Sequence, residues 1–538
     1  MPTLLGSPAS PRALAPRPLP AGALGRFLKA AHAFSIGDWD AVREGCARVL
    51  DLSPGHAQTL RLLARVHEQH QDWSGALPLL SGAVHAEPSD ATWLNDLGCC
   101  LERLKRYADA LECFERALAL APADPAALSN RGAVLGALGR TEEALASLRQ
   151  ALALDPGRAA TLLNLANILR CARRASEGLE VSGRLVALAP GRDDAWIVRA
   201  CCLRALGRNA EALDDLARAA AIAPDRPEIH RDRAYTLLEL GRWEEGWPLT
   251  EWRWHVPDGR LVARRWDRPQ WRGEPVAGKT VLLHNEQGLG DAIMLARLAT
   301  AVAERGARVL LEVQDSLIGL LSQVEGVRQT LPFGSRHPPH DLHCPLFSLP
   351  GVLGLSTSSV PSRSGYLKAD SARVQAWRHR LGKATRPRIG IAWSGNPEHS
   401  EDAYRSIPLE RFVRALPSGE VEVIRLQTSM RDSDAPVLSA NSWIRSFDGI
   451  SDFEDTAALC ALVDLVVTVD TSVAHLAGAM GRPTWILLTD PAEYRWMASG
   501  DRTPWYDSME LLRQEPGRGW DPLLATLRER LVDWAARP

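Results

Sequence analysis

The chain has 538 residues, too many for one hydrophobic core, so it must hold several domains. Its 63 basic and 65 acidic residues leave a formal charge of −2, which removes any charge-based case for nucleic acid or an anionic membrane as partner. Basic character is almost entirely Arg, with Lys only at Lys29, Lys105, Lys279, Lys368 and Lys383, a compositional bias and not a phosphate-binding stripe.

Residues 1–24 are rich in Pro, Ala and Arg and lack acids. Arg12, Arg17 and the nearby Arg26 interrupt any apolar stretch of a signal peptide, so a disordered leader is expected. No apolar run approaches the roughly 18–20 residues that span a bilayer. Nine cysteines, odd in number and without a C-x-x-C pair, suggest neither a disulfide framework nor a zinc site and fit a reducing cytoplasm.

Pro54, Pro88, Pro122, Pro156, Pro190 and Pro224 lie on one lattice of 34 residues. The same register carries small residues at Ala64, Gly98, Gly132, Ala166, Ala200 and Ala234, and again at Ala76, Ala110, Ala144, Gly178, Ala212 and Gly246, where two helices of a hairpin must approach closely. A third column, Gly37, Gly139, Gly207 and Gly241, suits the turn between them, although Gln71, Lys105 and Arg173 depart from it. Each proline then stops a second helix, because it lacks an N–H and clashes with the preceding turn. This unit resembles the tetratricopeptide repeat, as in DLGCCLERLKRYADALECFERALALAP, over residues 25–257 and about seven units. The resemblance implies an all-α superhelix whose extended concave surface usually binds peptide; a rigid spacer or dimerisation arm is the alternative. The doublets Cys99–Cys100 and Cys201–Cys202 read as packed helix residues.

Six of the eighteen tryptophans, Trp243, Trp247, Trp252, Trp254, Trp266 and Trp271, fall between 243 and 271. Large aromatics with an N–H handle suit interfaces, so a docking seam, centred on 258–279, is expected between the repeats and the C-terminal half, in preference to a carbohydrate platform.

Beyond the seam the period changes to alternating strands and helices. Thr280–His284 reads as a strand, followed by the loop Asn285–Asp291, a helix to about 305 and a strand over 307–313, a βαβ unit. Arg388–Trp393, Val421–Leu426, Leu465–Val469 and Thr484–Leu488 read as a second set of strands. Two tandem α/β halves, 280–375 and 386–538, predict a cleft at their strand C-termini. Two motif matches fail on context. Gly273–Thr280 satisfies the P-loop expression but precedes a strand. Gly288-x-Gly290 follows a strand, but Ile293 stands where the dinucleotide fingerprint needs a small residue. Helix N-termini expose unpaired N–H groups and a partial positive charge, so Thr471, Ser472 and the backbone at the strand-to-helix junction after Asp470 are candidates to hold a diphosphate, with His475 facing the same loop one turn on.

EQGLGD, IAWSGNP, RSIPL and TVDTSVAHLAGAMGRPTW, in that order over 280–515, resemble the family containing bacterial heptosyltransferases and repeat-linked glycosyltransferases of the two-Rossmann GT-B fold. The resemblance implies that Asp291, beside Gly288 and Gly290 near the acceptor, is the base that deprotonates an acceptor hydroxyl. It implies inversion at the sugar, no metal, and no cofactor beyond the nucleotide-sugar substrate. Arg405 would neutralise the leaving diphosphate, with Asp470, Thr471, Ser472 and His475 at the donor; members often carry Lys at the Arg405 position. Ser394, Gly395, Asn396 and Gln427 are weaker donor candidates that turn chemistry explains equally well.

The joint architecture resembles bacterial protein O-glycosyltransferases, including repeat-bearing flagellin glycosyltransferases. The partners it implies are a nucleotide-sugar donor and an acceptor protein held in the repeat groove, modified on Ser or Thr. A lipid or polysaccharide acceptor, or a non-catalytic repeat scaffold, are the alternatives. The first α/β half is short for this fold, so the seam and last repeats are expected to complete the acceptor side.

Overall fold

The computed structural model describes residues 19–257, 264–398, 402–450 and 452–536. Most of the expected leader, and residues 258–263 of the expected seam, lie outside the described residues; residues 21–24 already belong to the first helix, Ala21–Ser35. The chain forms two compact units, Met1–Cys202 and Leu203–Pro538.

The first unit is built of antiparallel helix pairs, beginning Ala21–Ser35 with Trp39–Leu52 and Ala57–Gln69 with Trp73–Ala86. The lattice prolines fall just past each second helix, as Pro54 does after the cap residue Ser53. The small-residue columns have a steric origin: a Cβ on Gly98 would lie 2.6 Å from the Phe114 ring, and one on Gly132 would lie 2.6 Å from Leu148.

The turn column is conformational and independent of side chain. Gly37, Gly139, Gly207 and Gly241 have φ between 69° and 77°, and Gln71, Lys105 and Arg173 take the same left-handed backbone at 58°, 59° and 57°. Those three carry roughly 1–2 kcal/mol of strain each that Gly would not. Lys105→Gly is therefore expected to raise the thermal unfolding midpoint of the repeats, with a net gain of about 0.5–1 kcal/mol after the entropy of a freer unfolded chain. A lowered midpoint in calorimetry would contradict this.

The second unit begins with the last repeat helices, Asn209–Ile222, Pro227–Glu239 and Trp243–Leu249. Two parallel sheets come after them in the chain. The first contains β1 (Thr280–His284), β2 (Arg308–Val313), β3 (Val327–Pro332) and β4 (Leu342–Pro345) in the order β3-β2-β1-β4. The second contains β5 (Arg388–Ala392), β6 (Glu422–Arg425), β7 (Ile444–Arg445), β8 (Leu465–Val469), β9 (Thr484–Leu488) and β10 (Met509–Arg513) in the order β10-β9-β8-β5-β6-β7. This is the doubly wound order, with the direction of winding reversing between β5 and β8, where such sheets bind ligands. The P-loop-like stretch lies ahead of β1, as its context requires. Helix Ser371–Leu381 crosses the expected boundary at 375 and packs on the second half, where Trp377 donates to Asp455 at 2.9 Å and Arg373 forks onto Asp452.

One hydrophobic core joins the last repeat to the α/β halves. Trp243, Trp247 and Trp271 are 0–1% exposed within it. Trp243 packs on Trp505 at 4.9 Å, and Trp247 meets Phe347 edge-on at 5.6 Å. Arg297, 1% exposed, fastens the halves together without a carboxylate. It donates to the carbonyls of Trp505 at 2.6 Å and Met294 at 2.9 Å and lies over the Tyr366 and Tyr506 rings. Among the described residues no helix is long and apolar enough to cross a membrane, and none of the nine cysteines forms a disulfide.

Candidate functional site

Parallel strands turn their carboxyl ends to one edge of a sheet, and the loops leaving β1, β5, β6, β8 and β9 converge on a cavity of about 570 Å³. Every residue singled out from the sequence lines it: Gly288, Gly290, Asp291, Ser394, Gly395, Asn396, Arg405, Gln427, Asp470, Thr471, Ser472 and His475.

Asp291 sits in the first turn of helix Leu289–Ala296, where a carboxylate suits the helix dipole, and is 6% exposed. Its Oδ1 accepts two hydrogen bonds from Arg495, at 2.6 Å from Nη2 and 3.0 Å from Nε, and faces the Tyr494 hydroxyl at 3.4 Å. Gly290 is fixed by packing: a Cβ there would lie 2.7 Å from the His475 ring, so only glycine lets helices Leu289–Ala296 and Ser472–Ala479 meet.

Thr471 is the N-cap of helix Ser472–Ala479 in extended conformation, and Ser472 opens the helix, so its unpaired N–H groups face the cavity. His475 is 3% exposed, stacks on Trp496 at 5.1 Å and pairs through Nδ1 with the Tyr506 hydroxyl at 3.1 Å. Burial, reinforced by Arg495, Arg297 and Arg405, pushes it well below the ordinary imidazole value, so it is a neutral hydrogen-bonding group and not a cation for phosphate. Asp470 moves the other way: burial and then Glu493 raise it to about 6, against the pull of Arg495 and Arg405.

Arg405 closes the short helix Asp402–Arg405, and Gly395 makes room for it, since a Cβ there would fall 2.6 Å from the guanidinium. Ser394, Asn396 and Gln427 are engaged in turn and loop chemistry. The Gln427 carbonyl oxygen accepts from the backbone N–H groups of Trp393 and Ser394 at 3.0 and 3.1 Å, its amide donates to Ser429 at 2.9 Å, and Asn396 caps its own turn at Glu398. These side chains shape the pocket wall by tying the β5 and β6 loops together.

Sequence reasoning missed Glu493, Tyr494 and Arg495, from the loop after β9. The available signal was two charges flanking a tyrosine just past a buried strand. Arg495 is 15% exposed and also pairs with Glu493. Burial alone would lower its guanidinium, but Asp291, Tyr494, Glu493 and Asp470 outweigh that and keep it charged.

A second cavity, of about 170 Å³, opens beside the same β1 loop. Trp254, Arg264, Trp266 and Gln270 of the seam face His284, Glu286 and His343 across it. Trp266 stacks on His343 at 4.5 Å, and the two histidines meet at 3.1 Å. Burial raises Glu286 to about 7, against the ion pair it makes with Arg253 at 2.8 Å. It lowers His343 to about 4 and His284 to about 2. For the two histidines the unfolded chain takes up protons near pH 6.5, whereas the folded protein resists them until far lower pH, so their stability is present above 6.5 and lost as pH falls below it; the raised Glu286 works in the opposite sense between about 4.5 and 7 and offsets about one histidine's share. The unfolding midpoint is expected to drop between pH 6.5 and 4, with His343 contributing roughly 3 kcal/mol at most. His343→Gln should flatten that slope, and an unchanged slope in melts across this window would contradict the assignment.

The profile of glycosyltransferase family 9 (heptosyltransferase) matches residues 442–515, which includes the loop and helix around Asp470 and His475. Tetratricopeptide-repeat profiles match 61–125 and 125–158. A curated relative, Protein FlbA of Caulobacter vibrioides, is 26% identical over 318 residues, covering 54% of this chain and 53% of its own, so the chain spans about half the length of the relative it matches. Among solved structures, a tetratricopeptide-repeat protein from Parabacteroides merdae aligns at 16% identity over 44% of this chain and 94% of that one, with a TM-score of 0.39. YrrB, described as a repeat protein with an unusual peptide-binding site, aligns at 21% identity over 34% and 93%, with a TM-score of 0.27.

Proposed function

We propose that this chain, which joins tetratricopeptide repeats to a C-terminal glycosyltransferase family 9 domain, transfers a sugar from a nucleotide-sugar donor to a Ser or Thr hydroxyl of a protein captured by its repeats. The observation that carries this reading is the convergence of Asp291, Arg405 and the N-terminus of helix Ser472–Ala479 on one cavity at the strand carboxyl ends.

In this scheme the donor diphosphate lies at Thr471 and Ser472, whose backbone N–H groups and helix dipole suit an anion. The acceptor oxygen attacks the anomeric carbon from the side of Asp291, which takes the hydroxyl proton. The bond from that carbon to the diphosphate oxygen breaks, and its electron pair leaves on the nucleoside diphosphate. Attack opposite the leaving group inverts the anomeric carbon. The growing negative charge falls to Arg405 and the helix N-terminus, so the scheme invokes no metal and no cofactor beyond the donor. Neutral His475 and the hydrogen-bonding Asp470 face the sugar end. We take the cytoplasm as the compartment of this scheme, since nine cysteines without a C-x-x-C pair suit a reducing environment.

The test is transfer of labelled sugar by the full-length protein into a fractionated pool of cell protein, lipid and glycan. The reading expects protease-sensitive label released by β-elimination. Label recovered only in the lipid or glycan fraction would reject the protein acceptor.

A further inference from the structure

Arg495 lies outside the motifs singled out from the sequence, yet it is the most heavily engaged cation in the cavity. It reaches across from the second α/β half to Asp291 on the first, using Nε and Nη2, while Nη1 pairs with Glu493. Its two anionic partners differ in exposure. The Asp291 side chain is 8% exposed and lies in a helical turn, whereas that of Glu493 is 38% exposed at the cavity wall.

We propose that Arg495 serves both ends of the transfer: it holds Asp291 through Nε and Nη2, and exchanges the Glu493 carboxylate on Nη1 for the donor's diphosphate. The inference rests on the glycosyl-transfer reading and adds to it a cation and a competing anion.

Charge supports the exchange. Asp291, Asp470 and Glu493 face the same cavity as Arg405 and Arg495, so a diphosphate entering beside Glu493 meets like charge at close range. Arg495 is buried and fastened by its fork, but the half-exposed Glu493 can turn to solvent at little cost. A planar guanidinium has edges enough for a carboxylate on one side and a phosphate on another, which an ammonium group does not. The exchange also couples the two events of the reaction. When Asp291 takes the acceptor proton its charge is lost and its hold on Arg495 weakens. The guanidinium charge is then freed for the electron pair arriving on the diphosphate oxygen. Holding Oδ1 also leaves Oδ2, on the Gly288 side, as the atom that receives the proton.

The experiment is calorimetric titration of the full-length protein with UDP, GDP, ADP and CDP, and then of the best of these against three variants. Glu493→Gln removes the competing charge and is expected to tighten binding about three- to tenfold. Arg495→Gln is expected to weaken it at least about tenfold. Arg495→Lys retains the charge without the fork, so it should keep most of the binding and lose kcat for transfer. Glu493→Gln is at a partly exposed position and tests the exchange even if the Arg495 variants fold poorly. Binding unchanged or weakened in Glu493→Gln, with wild type binding normally, overturns the exchange alone. Failure of wild type to bind any of the four nucleotides overturns the glycosyl-transfer reading with it.

Discussion

Asp291→Asn is expected to preserve or tighten nucleotide binding, since it frees charge on Arg495, and to lower kcat for sugar transfer by about 10²–10⁴-fold, the usual contribution of a positioned general base. The substitution keeps the size of the side chain and an oxygen that can accept from Arg495, but the amide cannot take the acceptor proton. Because the lost step lies in the transition state, kcat and kcat/KM should both fall while the donor KM does not rise. Initial rates with labelled donor measure the first effect, and calorimetry with the nucleoside diphosphate measures the second. A variant that turned over at the wild-type rate would remove Asp291 from the chemistry. Arg495 would then be left with a purely structural ion pair between the two α/β halves.

Trp243→Ala and Trp247→Ala are each expected to destabilise the C-terminal unit by about 3–5 kcal/mol, the range for emptying a large aromatic site in a packed core. Both indoles are 1% exposed, and their neighbours Trp505, Phe347 and Tyr494 come from the α/β halves, so the space left has rigid walls on several sides. Trp252→Ala is the control. That ring is only half-buried and stacks on His230 at 4.2 Å within the repeat end, so its loss should cost about 1 kcal/mol. Differential scanning calorimetry of the full-length protein reads both. If Trp243→Ala unfolded like wild type, the last repeat would be a passive neighbour and not part of the glycosyltransferase core.

Much of this architecture was legible because physics repeats itself at fixed intervals. A proline every 34 residues marks a helix stop, and small residues in register mark close helix approach. The turn column was harder to read from residue types. Gln71, Lys105 and Arg173 look like departures, yet the hairpin forces them into the same left-handed backbone as the glycines. Buried parallel strands such as Leu465–Val469 announce themselves as unbroken apolar runs. The missed strands do not. β3 is largely solvent-facing and ends in proline, β4 carries a histidine among four residues, β7 is two residues long, and the apolar run of β10 is bounded by Glu510 and Arg513.

At the cavity, the strand-to-helix junction carried the signal at Asp470, whereas Asp291 and Arg405 came from the family resemblance of EQGLGD and RSIPL. Gln427 and Asn396 line the cavity and also satisfy loop backbone, the turn chemistry that their residue types equally allow. Arg495 was invisible because its importance comes from a partner 204 residues away, a pairing that no local pattern encodes. Of the tryptophans at 243–271, Trp243, Trp247 and Trp271 are packed in the core, whereas Trp266 stacks on His343 as a wall of the second cavity.

The measurement that tests the central claim most directly is a crystal structure of the full-length protein with the nucleoside diphosphate it binds. The diphosphate is expected at the N-terminus of helix Ser472–Ala479, within hydrogen-bonding reach of the Ser472 backbone, Arg405 and Arg495, with its terminal phosphate facing Asp291. A nucleotide seated elsewhere, such as the cavity between His284 and Trp254, would contradict it.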